Sequence, residues 1–222
     1  MSLNWSTTSD QSKEGIKCGI YGRDGAGKTF LIPTAPRPLI IDVEGKTLSI
    51  KEHNIPSLRI VTWQDWLDVW KFISESAEMR NFDTVYVDSI SELSAVSLAH
   101  QKAKCADGRR SYGEHRDAMS VAIRNLCALP EKNVVFNAKA SLIELPDSTK
   151  IYAPSLPGMT AEQALGYSLN QLWYLGIGLY EGATVNGVTE KIEYRYLQTK
   201  QDVYVQARDN SRTLLQIGRA HV

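Results

Sequence analysis

The chain has 222 residues, with 25 basic and 25 acidic side chains and no formal net charge. Its 43% hydrophobic and 23% charged residues are a globular composition and exclude a chain disordered throughout, while the charge balance argues against a constitutive basic DNA clamp. No apolar run approaches the ~18–20 residues of a membrane span, and residues 1–14 are polar with no apolar stretch of signal-peptide type, so no membrane partner and a cytoplasmic location are expected.

Residues 1–14, rich in Ser, Thr, Asp and Gln, read as a loose arm, and 15–216 as one domain. The apolar runs 16–21, 39–43, 58–61, 84–87 and 134–136 read as strands. Between them the period changes. Trp63, Trp66, Leu67, Trp70, Ile73 and Ala77 recur at helical spacing after Thr62, with Asp65 placed to complete a capping box; the tryptophans read as core. Residues 90–104 predict a second helix. Met119, Ala122, Ile123, Leu126 and Cys127 mark a third that stops before Pro130. Strands alternating with helices predict crossover units and a mainly parallel sheet. The runs 171–179, 191–199 and 203–207, with a turn at Asn186-Gly187, predict an antiparallel C-terminal extension. Cys18, Cys105 and Cys127 have no short spacing and read as reduced thiols, with neither a disulfide framework nor a zinc site. The last six residues, Ile217 to Val222, resemble the translation of a sequencing-adapter oligonucleotide and are expected to be a non-native tail.

Gly22-Arg23-Asp24-Gly25-Ala26-Gly27-Lys28-Thr29 matches G-x-x-x-x-G-K-S/T, after an apolar strand and before a helical segment at 28–32. That order suits a phosphate cradle. Glycines let backbone N–H groups turn inward around an anion, the lysine reaches the β- and γ-phosphates, and the hydroxyl of Thr29 goes to Mg²⁺. Phosphoryl chemistry also needs a carboxylate near the metal and a group that activates water. Asp88 ends the strand run 84–87 and is the candidate for Mg²⁺. Ser89 follows it where many ATPases carry a glutamate, so the base is sought at the end of the run 39–43: Glu44 first, Asp42 second. Asp42-Val43-Glu44-Gly45 also fits D-x-x-G of GTPases, but Asn137-Ala138-Lys139-Ala140 does not supply the guanine-reading N-K-x-D, which favours ATP.

Gly22 to Thr29, Ile41-Asp42-Val43-Glu44 and Val87-Asp88-Ser89 together resemble the core motifs of RecA-like recombinase ATPases. The closer likeness is to phage-type ATP-binding proteins with a minimal RecA-like core, some of which act in single-strand annealing or recombination. Tyr112-Gly113, Pro154-Ser155-Leu156-Pro157-Gly158 and Gln206-Ala207-Arg208 fit that group loosely. The resemblance implies a RecA-like P-loop α/β fold over roughly 15–215, hydrolysis of Mg²⁺-ATP with Glu44 as base, and assembly as a homo-oligomer. It implies Asn137 as a γ-phosphate sensor, with Lys139 able to share that role. Arg208, with Lys200 second, becomes a cation reaching a neighbour's nucleotide. Phage replication or recombination proteins become the expected partners.

For nucleic acid, Lys102, Lys104, Arg109, Arg110, His115 and Arg116 form the densest basic stretch, and Tyr112 offers a stacking face. Gly108 and Gly113 make this stretch read as a loop. Taken alone it reads as a solvated loop diluted by Asp107, Glu114 and Asp117; the resemblance turns it toward single-stranded DNA. Residues 141–158 are a second candidate DNA loop. Two rival readings remain at this level. One is a nucleotide or small-molecule kinase with Arg109, Arg110 and Arg116 on a lid; the other is a non-hydrolysing ATP-gated switch that recruits a replication partner.

Overall fold

The computed structural model describes residues 15–105, 107–159, 165, 168–185, 188–210 and 220–221. In chain order the elements are β1 (Lys17–Gly22), β2 (Pro38–Asp42), β3 (Ser57–Arg59), α1 (Trp63–Glu75), β4 (Thr84–Asp88), α2 (Ile90–Lys104), α3 (Gly108–Cys127), β5 (Asn133–Glu144), β6 (Lys150–Ser155), β7 (Gln171–Val185), β8 (Val188–Gln198), β9 (Arg208–Asp209) and β10 (Ala220–His221). Short 3₁₀ helices lie at Lys28–Thr34, Thr47–His53 and Ala77–Asn81. The arm expected at 1–14 and the turn at Asn186-Gly187 lie outside the described residues. Of the expected tail only Ala220 and His221 are described, paired with Leu197 and Tyr196.

One sheet runs β10-β8-β7-β1-β5-β4-β2-β3. From β7 to β3 every neighbouring pair is parallel. β8 joins β7 antiparallel, and β6 folds back on β5. This is the mainly parallel α/β sheet with an antiparallel C-terminal extension that the pattern predicts. The central strands are apolar throughout because both faces are covered. One face carries Tyr21, Leu39, Ile41, Val85, Val87, Val134, Phe136 and Ala138, packed with residues of α1, α2 and α3. The other presents Ile40 and Tyr86 to Ile32 and Ile50 of the 3₁₀ helices, and Cys18 and Ile20 to Leu175. β5 lies between β1 and β4. The strand that leads into the phosphate loop and the strand that ends in Asp88 are therefore one strand apart, with their carboxyl ends side by side.

α1 begins as its sequence predicts. Thr62 Oγ1 accepts from the Asp65 N–H (3.2 Å), and the Asp65 carboxylate accepts from the Thr62 N–H (2.7 Å). Trp63 and Trp66 are buried and Trp70 packs on the same core, so the tryptophan stripe is packing.

Four segments differ from expectation. The basic stretch read as a loop is the last turn of α2, with Lys102 and Lys104, and the first half of α3, which starts at Gly108 rather than near Met119. Gly113 costs roughly 1 kcal/mol in the helix interior, but Asp107 caps α3 by accepting from the Arg109 N–H (2.9 Å). The buried row Ser111, His115, Met119, Ala122, Ile123 and Leu126 supplies the packing that outweighs that cost. Residues 141–158, read as a loop, are mostly the β5–β6 hairpin, in register from Lys139–Ser155 to Glu144–Lys150. The helical segment after the phosphate loop is a 3₁₀ helix containing Pro33, which has no N–H to continue a ladder. The run 203–207 is not a strand. Asp202 Oδ1 accepts from the N–H groups of Tyr204 (2.8 Å) and Val205 (2.9 Å) and bends the chain, leaving a single bridge from Val205 to Tyr152.

Candidate active site

The phosphate loop leaves β1 at Gly22. Gly25 and Gly27 hold φ angles of 78° and 97°, which side chains rarely adopt. Lys28 Nζ donates to the carbonyls of Gly22 (2.9 Å) and Arg23 (3.1 Å), so the ammonium is held by the loop it serves. Burial pushes the Lys28 pKa down, against the pull of Asp24, Glu44 and Asp88. Because the following helix is short and 3₁₀, phosphate binding falls mainly to the loop N–H groups and Lys28.

Thr29 and Asp88 meet across the gap between the loop and β4. Thr29 Oγ1 donates to Asp88 Oδ2 at 2.9 Å. Asn137, level with Asp88 on β5, donates through Nδ2 to Asp88 Oδ1 at 3.0 Å. Tyr86 then donates its hydroxyl to Asn137 Oδ1 at 3.3 Å. Asp88 is 5% exposed, and burial raises its pKa more than the hydrogen bonds from Asn137 and Thr29 lower it. A hydroxyl beside one carboxylate is a set of hard oxygen donors that fits Mg²⁺, which keeps waters and binds phosphate oxygens for the rest of its shell. Among the described residues no group of three or more His, Cys, Asp or Glu is arranged to hold a metal. A metal bound at Thr29 and Asp88 would thus draw its other ligands from phosphate and water.

Glu44 comes from the end of β2. The N–H groups of Val43 and Glu44 both donate to the Asp88 carbonyl (2.8 and 3.2 Å), which ties the two strand ends together. Ser89 Oγ donates to Glu44 Oε1 at 2.6 Å, and Lys46 Nζ lies 3.8 Å from Oε2. Asp42 is spent differently: Oδ1 accepts from the Gly45 N–H (2.7 Å) and pairs with Arg59 (3.2 Å). A cleft of about 280 Å³ is walled by Asp24, Gly25, Lys28, Thr29, Glu44 and Asp88.

The fold therefore brings the loop 22–29, Glu44 and Asp88 to one cleft. Asn137 joins them from behind, as the partner that orients Asp88, and is fully buried. Lys139 stands level with Gly22 and is paired with Glu92 on α2. Arg208 does not join the cluster. It sits on β9 opposite Leu172, and its Nη2 donates to the Leu169 carbonyl (2.5 Å), toward the amino end of β7 and away from the phosphate loop of its own chain. Lys200 is exposed just past β8. Two contributors escaped the sequence reading. Ser89 belongs to the Val87-Asp88-Ser89 motif, but its sequence does not reveal that it caps α2 and holds Glu44. Arg195 of β8 donates through Nε to the Ala26 carbonyl at 3.1 Å, and no local motif announces a contact 169 residues distant.

A family model described as an AAA domain (AAA_24) matches residues 14–211. The chain belongs to that family, and the site just described is that of a P-loop ATPase. Among solved structures, a KaiC-like protein, PH0186, from the hyperthermophilic archaeon Pyrococcus horikoshii OT3 is similar at 10% identity, with a TM-score of 0.45, over 83% of this chain and 78% of that one. No curated protein matches the sequence. No helix among the described residues is long and apolar enough to cross a membrane.

The raised pKa of Asp88 has a consequence for stability. A carboxylate whose folded pKa lies above its unfolded value favours folding while it is protonated. That contribution is full below the unfolded pKa and is lost as pH rises through the folded one. Asp88→Asn is expected to raise the unfolding midpoint at pH 7 by roughly 2–4 °C, with the gain shrinking as pH falls into the carboxylate range. Thermal unfolding of both proteins across that range checks it; a gain independent of pH would show that the buried charge is not its source.

Proposed function

We propose that the chain binds Mg²⁺-ATP and hydrolyses it in step with single-stranded DNA, as part of phage recombination or annealing. The observation that carries the hydrolytic half is the shared cleft. Gly25, Gly27 and Lys28 of the loop line the same space as Glu44, and Thr29 and Asp88 close it. Mg²⁺, when bound, would supply charge stabilisation at the phosphate oxygens. The protein's own part follows from the geometry. Ser89 fixes the Glu44 carboxylate. That carboxylate takes a proton from water as the water oxygen bonds to the γ-phosphorus and the bond to the β–γ bridging oxygen breaks. Lys28 and the loop N–H groups stabilise the charge that moves onto the departing ADP.

The nucleic-acid half is supported by the basic stretch in its helical form. Arg109, Tyr112 and Arg116, at i, i+3 and i+7 of α3, line a cleft of about 610 Å³ with Gly108 and Gly158. Lys102 Nζ lies 4.9 Å from the Tyr112 ring centre. Charges that track phosphates beside an aromatic face suit a single strand. Arg110 is taken up by Glu114 at 2.8 Å. The resemblance to phage-type annealing proteins points the same way. A kinase reading would put Arg109, Arg110 and Arg116 over the phosphate cleft, yet Arg109 and Arg116 line the separate α3 cleft. In this proposal copies of the chain assemble, and Arg208 serves the cleft of the next copy.

ATP turnover with and without single-stranded DNA tests the whole reading. DNA is expected to stimulate turnover. Glu44→Gln and Lys28→Ala are expected to lower it by about 100-fold or more. Turnover unaffected by DNA removes the nucleic-acid half, and full activity in Glu44→Gln removes Glu44 as the base. Repeating the assay over a range of protein concentrations tests Arg208. Turnover per subunit should rise with concentration in the parent and not in Arg208→Ala; equal curves would end the trans role.

A further inference from the structure

β7 and β8 continue past the end of β1 as a two-stranded ribbon. Leu175 of β7 is the residue level with Gly22, and Arg195 of β8 lies opposite Ile177, two residues farther on. Strand alternation puts Arg195 on the same face as Leu197, and Leu197 packs beside Leu175, Ile20 and Ala26. The arginine is thereby brought over the phosphate loop. Its Nε donates to the Ala26 carbonyl at 3.1 Å, and its Nη2 lies 3.5 Å from Glu193 Oε1. The stem crosses Gly27 so closely that a Cβ there would come within 3.2 Å of Nε and 3.4 Å of Cδ.

The chemistry lies in the peptide unit that the arginine grips. The Ala26 carbonyl and the Gly27 N–H belong to one planar trans amide and point in opposite directions. Drawing the carbonyl out toward Arg195 turns the N–H away from it, and Gly27 is one of the residues that border the phosphate cleft. We propose that Arg195 is a positioning residue for nucleotide binding, which fixes the Ala26–Gly27 peptide so that the Gly27 N–H faces the phosphates. Only the carbonyl and the planarity of the amide are needed, so the arginine acts on ATP and ADP alike, by holding one loop donor in place rather than by touching a reacting atom. It also makes the shape of the loop depend on the β7–β8 ribbon. This inference rests on the reading that the cleft binds ATP.

Equilibrium binding of ADP and of the β,γ-imido analogue of ATP to the full chain tests it, together with the amide signal of ¹⁵N-labelled Gly27. Arg195→Ala is expected to weaken both nucleotides by about tenfold, to raise KM by a larger factor than it lowers kcat, and to reduce the Gly27 amide shift on nucleotide addition. Arg195→Lys, which keeps a donor and a charge, should recover most of the affinity. Affinity in Arg195→Ala within roughly twofold of the parent overturns the proposal. So do equal losses in the Ala and Lys variants, or a fall in kcat with KM unchanged. If the parent binds neither nucleotide, the ATP reading itself fails; if the parent binds both and Arg195→Ala matches it, only the role of Arg195 fails.

Discussion

A single buried carboxylate organises this protein's chemistry. Asp88 sits at a place where charge is costly, and it is held there by a hydroxyl from the phosphate loop and an amide from the neighbouring strand. Its backbone carbonyl also receives the N–H groups of Val43 and Glu44. One residue thus fixes the spacing of three strand ends, those of β1, β4 and β2. An unpaired carboxylate at 5% exposure would lose its charge instead. The hydrogen bonds keep the ionised form accessible, and the accessible charge is what a divalent cation needs. The site gives up some stability to obtain it, a trade common where a fold is arranged for function.

The remaining parts are set by the same frame. Glu44 reaches the cleft because β2 lies next to β4, and Ser89 can hold Glu44 because it both follows Asp88 and caps α2. The C-terminal ribbon enters from the other side, through Arg195. The phosphate loop is therefore gripped from within by Lys28 and from outside by a strand far along the chain. Short 3₁₀ helices cover this face of the sheet, where a longer helix would add its dipole to phosphate binding. That makes the side-chain cations and the orientation of individual loop amides correspondingly important.

Much of the site was legible in the sequence because it consists of local motifs at strand ends. Gly22 to Thr29, Glu44 and Asp88 each follow an apolar run, and the fold class follows from runs alternating with helical periods. What escaped has physical reasons. The start of α3 was hidden by Gly108 and Gly113, since the buried row that outweighs them is visible only once α2 and the sheet are in place. The run 203–207 has strand composition, but the Asp202 side chain bends it. Asn137 has the right position for a site residue, yet burial gives it Asp88 and Tyr86 as partners. Arg208, chosen by resemblance, lies at the far end of its own sheet, whereas Arg195 reaches the phosphate loop. Arg208 pairs from β9 with Leu172 near the start of β7, and Arg195 from β8 with Ile177 farther along it; such pairing is not written in any short motif.

The most direct test of the central role of Asp88 is the affinity for the β,γ-imido analogue of ATP with and without Mg²⁺, in the parent chain and in Asp88→Asn. If Thr29 and Asp88 hold the metal against the phosphates, Mg²⁺ tightens binding in the parent and adds little in the variant. An equal gain from Mg²⁺ in both would contradict the account, placing the metal on ligands other than Asp88.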